Sequence, residues 1–293
     1  QRLILNFNYG TLGLSHSLTG LLTTLSNSLP SISKLYKQEV GILTTIELVA
    51  ISAGNNNITA YRLNTLEKVV WKGNNYPALV VEGEIFEVEP EKEWTYKKTP
   101  FISGKIISQR IDIPALELVP LPVHCIDKRK QEFEMEQIIP GARPDEMDDP
   151  ITDAVELKNR GCMDEAWELL NQVIKQDLRC IDAHVHMAHF KFGDGLSEYW
   201  VKQALKHYTV GAELGHFFLG YSFNGKLPWS AIDNRPYLRA LHGQCLCYWA
   251  LGDYEAAAEI ARSLLKFNKS DNQGIRFILP EIEAGIPYRE SNE

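Results

Sequence analysis

Apolar positions change their rhythm three times along the chain. Leu14, Leu18, Leu21, Leu22, Leu25 and Leu29 recur at helical spacing and stop before Pro30. Their pattern predicts an amphipathic helix with an uncharged Ser/Thr face. The run from Val40 to Ala53 is apolar almost throughout and closes on Gly54 and three asparagines; periodicity leaves it open between helix and strand. Shorter stretches follow. Lys68–Trp71, Tyr76–Val81, Ile85–Val88, Phe101–Ile113 and Leu116–Ile126 are rich in β-branched residues and are punctuated by Gly73-Asn74-Asn75 and by prolines. They predict four to six short strands in a small sheet or barrel, packed with the early helices. Pro114, Pro120 and Pro122 mark edges or turns there.

From Lys128 to Pro150 the chain becomes charged and irregular, with Glu132, Glu134 and Glu136 followed by Pro140-Gly141 and the acids of Asp145–Asp149. Such a stretch reads as a linker whose last carboxylates suit the positive end of a helix. Beyond Pro150 the spacing is helical and repeats itself. Gly161-x-Met163-x-x-Ala166 and Gly252-x-Tyr254-x-x-Ala257 are one phrase written twice, with Gly at a bend and Ala where two helices cross closely. The predicted organisation is α+β in two domains. A mixed or β-rich unit covers residues 1–130, an acidic linker 131–149, and a helical repeat domain 150–293.

The repeat resembles the tetratricopeptide family. Ala154, Leu157, Gly161, Met163, Ala166, Leu170 and Val173 fill the first unit, and Ala188, Ala204, Tyr208 and Gly211 the second. Leu241, Cys245, Tyr248, Gly252, Tyr254, Ala257 and Leu264 fill the last. Asn268-Lys269 stands where the family usually has Asn-Pro. The key alanines are unevenly spaced, 38 residues from Ala166 to Ala204 and 53 from Ala204 to Ala257. The excess is assigned to a loop over Gly215–Ile232 that holds Phe217, Phe218, Tyr221, Phe223 and Trp229. Leu178–His184, Leu227–Trp229, Asp233–Tyr237 and Ser270–Arg276 are further similar to a bacterial group of such proteins without an assigned activity. The resemblance implies a superhelix of about three helical hairpins plus a final helix, and a concave groove that binds a protein or peptide. Counting from the matched positions places Lys158, Asn159, Asp182, Val185, His189, Arg239, His242, Trp249 and Arg276 in that groove. The arginines and the indole suit an acidic partner.

Composition narrows the chemistry. The formal charge of -8 opposes sequence-independent nucleic-acid binding, which rests on Lys and Arg. The five cysteines are odd in number and lie in apolar surroundings, as expected of reduced thiols in a cytoplasmic protein. No apolar run is long enough for a membrane span. Leu3–Ser33 lacks charge, but Ser, Thr and Asn interrupt any signal-peptide core.

Catalytic signatures are missing. No phosphate loop, dinucleotide fingerprint, nucleophile elbow or C-x-x-C pair occurs, so a scaffold is expected rather than an enzyme, with no cofactor. Two alternatives carry named residues. Asp182, His184, His186 and His189 have metal-ligand chemistry, although His184 and His186 diverge by about 200° on a helix. Trp71, Tyr76, Phe86, Trp94 and Tyr96, with Lys97, Lys98, Lys105 and Arg110, would stack and neutralise a nucleic acid strand. His124-Cys125 is the one adjacent Cys/His pair.

Overall fold

The computed structural model describes residues 45–75, 79–142, 149–193 and 197–289. The Leu14–Leu29 pattern, Tyr76 and the acids Asp145–Asp148 lie outside the described residues. Five strands close into a barrel: β1 (Ile46–Ala53), β2 (Asn57–Arg62), β3 (Lys68–Lys72), β4 (Ile85–Tyr96) and β5 (Thr99–Arg110), in the order β1-β2-β3-β5-β4. Neighbours are antiparallel except β3 and β5. Strand alternation fills the interior with Leu48, Ala50, Ile58, Ala60, Val69, Trp71, Phe86, Val88 and Ile102. Trp71 donates its indole N–H to the Gly104 carbonyl at 3.2 Å. A side chain at Gly104 would meet the Glu89 carbonyl at 2.1 Å, so the bulged strands approach closely only over glycine.

The Val40–Ala53 ambiguity resolves to a strand from Ile46, and its cause is visible. The interior face of β1 carries Leu48 and Ala50, while Val49 belongs to the larger core shared with the helices. A strand covered on both faces loses its alternation. Two expected strands are corrected. Residues 79–84 form a turn whose Val80 and Val81 are buried without pairing, and Leu116–Ile126 is strand only from Val123. Ile113, Leu116 and Leu118 are apolar because they cover the helices from an irregular connection.

A second sheet joins β6 (Val123–Asp127) to β7 (Glu132–Met135). Glu132–Met135 was expected within the linker, yet its backbone finds partners in a distant connection. Phe133 donates to the Lys226 carbonyl at 2.9 Å. Buried Asn234 accepts from Met135 N–H at 3.0 Å and donates to the Phe133 carbonyl at 2.9 Å. Non-local pairing of this kind leaves no local signature.

Seven helices follow: α1 (Pro150–Asn159), α2 (Met163–Gln176), α3 (Ile181–Gly193), α4 (Glu198–Leu219), α5 (Arg235–Ala250), α6 (Tyr254–Phe267) and α7 (Ile275–Glu283). Asp149 caps α1 through the N–H groups of Ile151 and Thr152, with Pro150 at the first helical position. Gly161 and Gly252 take φ of 82° and 81° at the bends α1–α2 and α5–α6, where other residues would be strained. Ala166, Ala204 and Ala257 are fully buried. The Cys245 thiol donates to the Ala257 carbonyl at 3.3 Å, so small residues face each other where α5 and α6 cross. All five cysteines are free. Among the described residues no helix is long and apolar enough to cross a membrane.

The loop expected over Gly215–Ile232 begins later, because α4 runs on to Leu219 and carries Phe217 and Phe218. Gly215 is a notch in that helix, not a break. A Cβ there would meet the Tyr237 ring at 2.0 Å, and one at Gly243 on α5 would meet the Tyr208 ring at 2.2 Å. Each helix thus gives up a side chain to seat the other's tyrosine. Gly215→Ala and Gly243→Ala should each cost about 1–3 kcal/mol by overpacking. Thermal unfolding would show each midpoint lowered by about 2–10 °C; an unchanged midpoint would mean the rings do not fill these notches.

Candidate functional site

The helical layer presents two kinds of polar constellation. The first lies where the β3–β4 connection enters the helices. Gly83, with φ of 86°, brings its backbone against Val210, which an added Cβ would meet at 2.8 Å. Its neighbours Glu82 and Glu84 are thereby pushed inward, only 1% and 3% exposed. Glu84 accepts from Lys206 Nζ at 3.1 Å and from Val81 N–H at 3.1 Å. Burial raises its pKa, and Lys206 opposes the rise.

Glu82 has no such cation in contact. Its Oε1 accepts from Ala53 N–H at 2.8 Å. In the orientation that satisfies both ends of the Asn171 amide, Asn171 donates to the same oxygen at 2.9 Å and accepts from Trp167 Nε1 at 3.2 Å. The Nε2 of His207 stands 3.9 Å from Oε2. Burial raises the Glu82 pKa to about 7 and drives that of His207 well below its ordinary value. Below about pH 7 the two therefore face each other as neutral groups and not as an ion pair. His184, fully buried, meets the Leu178 carbonyl through Nε2 at 3.1 Å, and burial lowers its pKa to about 4. A carboxyl beside imidazoles has acid–base form. With Glu82 and His207 1% and 2% exposed, no substrate atom reaches them in this conformation, and the cluster is a junction between barrel and helices.

The second constellation is on the surface. α1 packs on α3, and α3 on α5, whereas α2, α4 and α6 pack on the odd-numbered helices and make no comparable contact with one another among the described residues. α1, α3 and α5 therefore form one layer of the helical half. Asp182, His186 and His189 share one face of α3, and Arg239, His242 and Trp249 share one face of α5. Arg239 Nη1 is 3.4 Å from Asp182 Oδ1, and His186 Nε2 is 3.8 Å from the same oxygen. A cavity of about 250 Å³ opens here, lined also by Asp149, Ile151, Thr152 and Val155 of the α1 end. The Arg239 guanidinium lies 5.8 Å from the ring centre of Trp229, whose other neighbour is Arg235 at 5.4 Å. Burial lowers the His186 pKa, which Asp182 partly restores and Arg239 and Lys158 lower further.

The remaining expected groove residues are dispersed. Lys158 sits over the Phe190 ring at 4.8 Å. Asn159 is exposed at the end of α1, and Val185 is buried. His242 is half-buried, its pKa lowered by burial to about 4 despite Asp271. Arg276 is turned onto Asp271 at 2.7 Å, the residue that caps its own helix. Trp249 is buried, and the cover is the chain's own tail. Its Nε1 donates to the Ile286 carbonyl at 2.7 Å, while the Tyr288 ring stands edge-on to Trp249 at 5.1 Å and to Phe192 at 6.0 Å.

The four metal-type donors do not converge. His184 points to the Leu178 carbonyl while Asp182 and His186 face the cavity, as two-residue spacing on a helix requires. Among the described residues no three His, Cys, Asp or Glu side chains are placed to hold a metal ion. His124 and Cys125 point apart on β6, and His124 contacts Glu136 at 2.7 Å. Glu82, Glu84 and His207 escaped the sequence reading because the junction is assembled across more than a hundred residues. The available signal was two carboxylates flanking a glycine inside an apolar run.

Glu82 makes stability depend on pH. Its folded pKa near 7 lies above the unfolded value near 4.5, so the folded chain binds the extra proton between those limits. Stability falls as pH rises through that window and then levels, by about 3 kcal/mol at most. His184 works oppositely from about pH 4 to 6.5, where neutral burial favours higher pH. Glu82→Gln should match the parent near pH 5 and exceed it near pH 8 in denaturant titrations. Parallel profiles for both would show that the carboxyl is not held neutral.

With the geometry in view, the comparisons add no relative: no protein-family model matches this chain, and no curated protein matches it.

Proposed function

We propose that the helical half is a tetratricopeptide-like superhelix and that the chain is a cytoplasmic scaffold binding an extended protein segment along its inner face. Support comes from three hairpins plus a final helix, from glycines at two bends, from buried alanines at the crossings, and from the inner stacking of α1, α3 and α5. Five free thiols suit a reducing compartment.

One observation carries the reading: the inner face already holds an extended segment. Ile286–Tyr288 lies against α3 and α5 with a backbone carbonyl on an indole N–H and a tyrosine between two aromatic rings. That is peptide recognition in miniature, a main-chain hydrogen bond for grip and a ring slot for selection. Farther along the same helices, the Arg239 side chain is 40% exposed, reaching Asp182 with one nitrogen and lying over the Trp229 ring. Its remaining N–H groups suit a carboxylate on the partner. The partner is a protein segment with an aromatic side chain and an acidic group.

The test is peptide selection on the Tyr288→Ala chain, which vacates the slot, followed by anisotropy titration of the selected peptides. Aromatic and acidic residues should be enriched, and Arg239→Glu should weaken binding by roughly 10- to 100-fold. Equal affinity for both forms would remove the inner face from the function.

A further inference from the structure

Strand alternation sorts the residues of the β4–β5 hairpin by chemistry. Beyond the bulge at Glu91, Lys92, Trp94 and Tyr96 alternate onto one face of β4, and Glu93 and Thr95 onto the other. Glu93 is paired there with Arg62. Across the ladder Trp94 is opposite Phe101, and Phe101 is in turn opposite Val70 on β3, two residues before Lys72. The Trp94 and Phe101 rings stack at 5.4 Å with planes 11° apart. Neither belongs to the barrel interior or to the larger core, nor packs against them. Tyr96 is 60% exposed.

A lysine attends each ring. Lys72 stands 5.5 Å from the centre of Phe101, Lys92 5.5 Å from Trp94 and Lys97 5.4 Å from Tyr96. None of the three forms an ion pair with a carboxylate among the described residues. Three aromatic side chains outside any core, each beside a cation with no carboxylate partner, form one continuous outer face. The charge of the whole chain is negative, so this local excess stands out against it.

We infer that this face of β4, β5 and β3 binds single-stranded nucleic acid. Trp94 and Tyr96 lie two apart on β4, and Phe101 stacks on Trp94 from β5, so the outward ring faces are what bases can stack on, while the lysines, on flexible stems, swing from the rings to the phosphates. An acidic peptide would satisfy the lysines but would leave the exposed Tyr96 ring and the outward face of the Trp94–Phe101 stack without a flat partner. Of the aromatics expected to stack bases, Trp71 and Phe86 are instead barrel core. Alternation leaves Trp94 and Tyr96 outside and adds Phe101 to them.

The experiment is fluorescence anisotropy of labelled oligothymidylate, about 15 nucleotides long to span one such surface, with the full chain at low ionic strength. Binding should weaken with salt at a log–log slope of about -2, three lysines on a single strand. Trp94→Ala and the exposed Tyr96→Ala should each weaken it by roughly 5- to 100-fold, and Lys72→Glu with Lys92→Glu should abolish it. Thermal midpoints near the parent's would show the variants folded. Arg239→Glu should bind the oligonucleotide as the parent does, which keeps this face separate from the inner groove. No binding at low salt, unchanged affinity in both aromatic variants, or equal competition by polyglutamate would each overturn the inference, the last by making the face an acidic-peptide site.

Discussion

The position of the barrel on the helices depends on one tight turn. Gly83 carries two carboxyl-bearing neighbours into an apolar interface, and each is satisfied differently. Glu84 meets Lys206, which also donates to the Leu79 carbonyl and Gln109 and so ties α4 to the β3–β4 connection and to β5. Glu82 accepts from neutral donors and faces a neutral imidazole, with Lys175 and Lys191 acting on it only through space. A buried charge without a partner is costly, so the carboxyl tends to keep its proton. The interface is therefore held by apolar burial and hydrogen bonds, with the Lys206–Glu84 ion pair at its edge.

From that junction the rest of the molecule follows. The outer face of β1 is covered, which turns the opposite side of the barrel, with β3 and the β4–β5 hairpin, toward solvent. On the helical side, Gly215 and Gly243 admit tyrosine rings and set how closely α4 and α5 pack. Along the paired α3 and α5, Asp182, His186 and Arg239 gather at one end and Phe192 and Trp249 at the other. The tail then seats itself where two aromatic side chains would otherwise be bare.

Charge is distributed by the same geometric rules. The chain is acidic as a whole, yet period-two alternation on β4 separates Lys92, Trp94 and Tyr96 from Glu93. On α3, two-residue spacing turns His184 away from Asp182 and His186, so one histidine becomes core while its neighbour faces a cavity. Residue types close in sequence thus take unlike roles because the element beneath them rotates their side chains apart.

The sequence by itself determined what local spacing controls. The helical hairpins after Pro150, the bends at Gly161 and Gly252, the cap at Asp149, the buried alanines and most of the barrel strands are legible because each is encoded within a turn or two of chain. Counting along the helices grouped Asp182 with Arg239, and the two side chains lie 3.4 Å apart. Tertiary structure alone decided the rest. Only packing shows that Gly215 is a notch for Tyr237, that Glu132–Met135 is a strand completed by residues 226 and 234, and that Trp249 is covered by Tyr288. Glu82 and His207 meet across more than a hundred residues. Such pairings arise from contacts between segments whose local patterns are independent of one another, and a one-dimensional reading has no term for them.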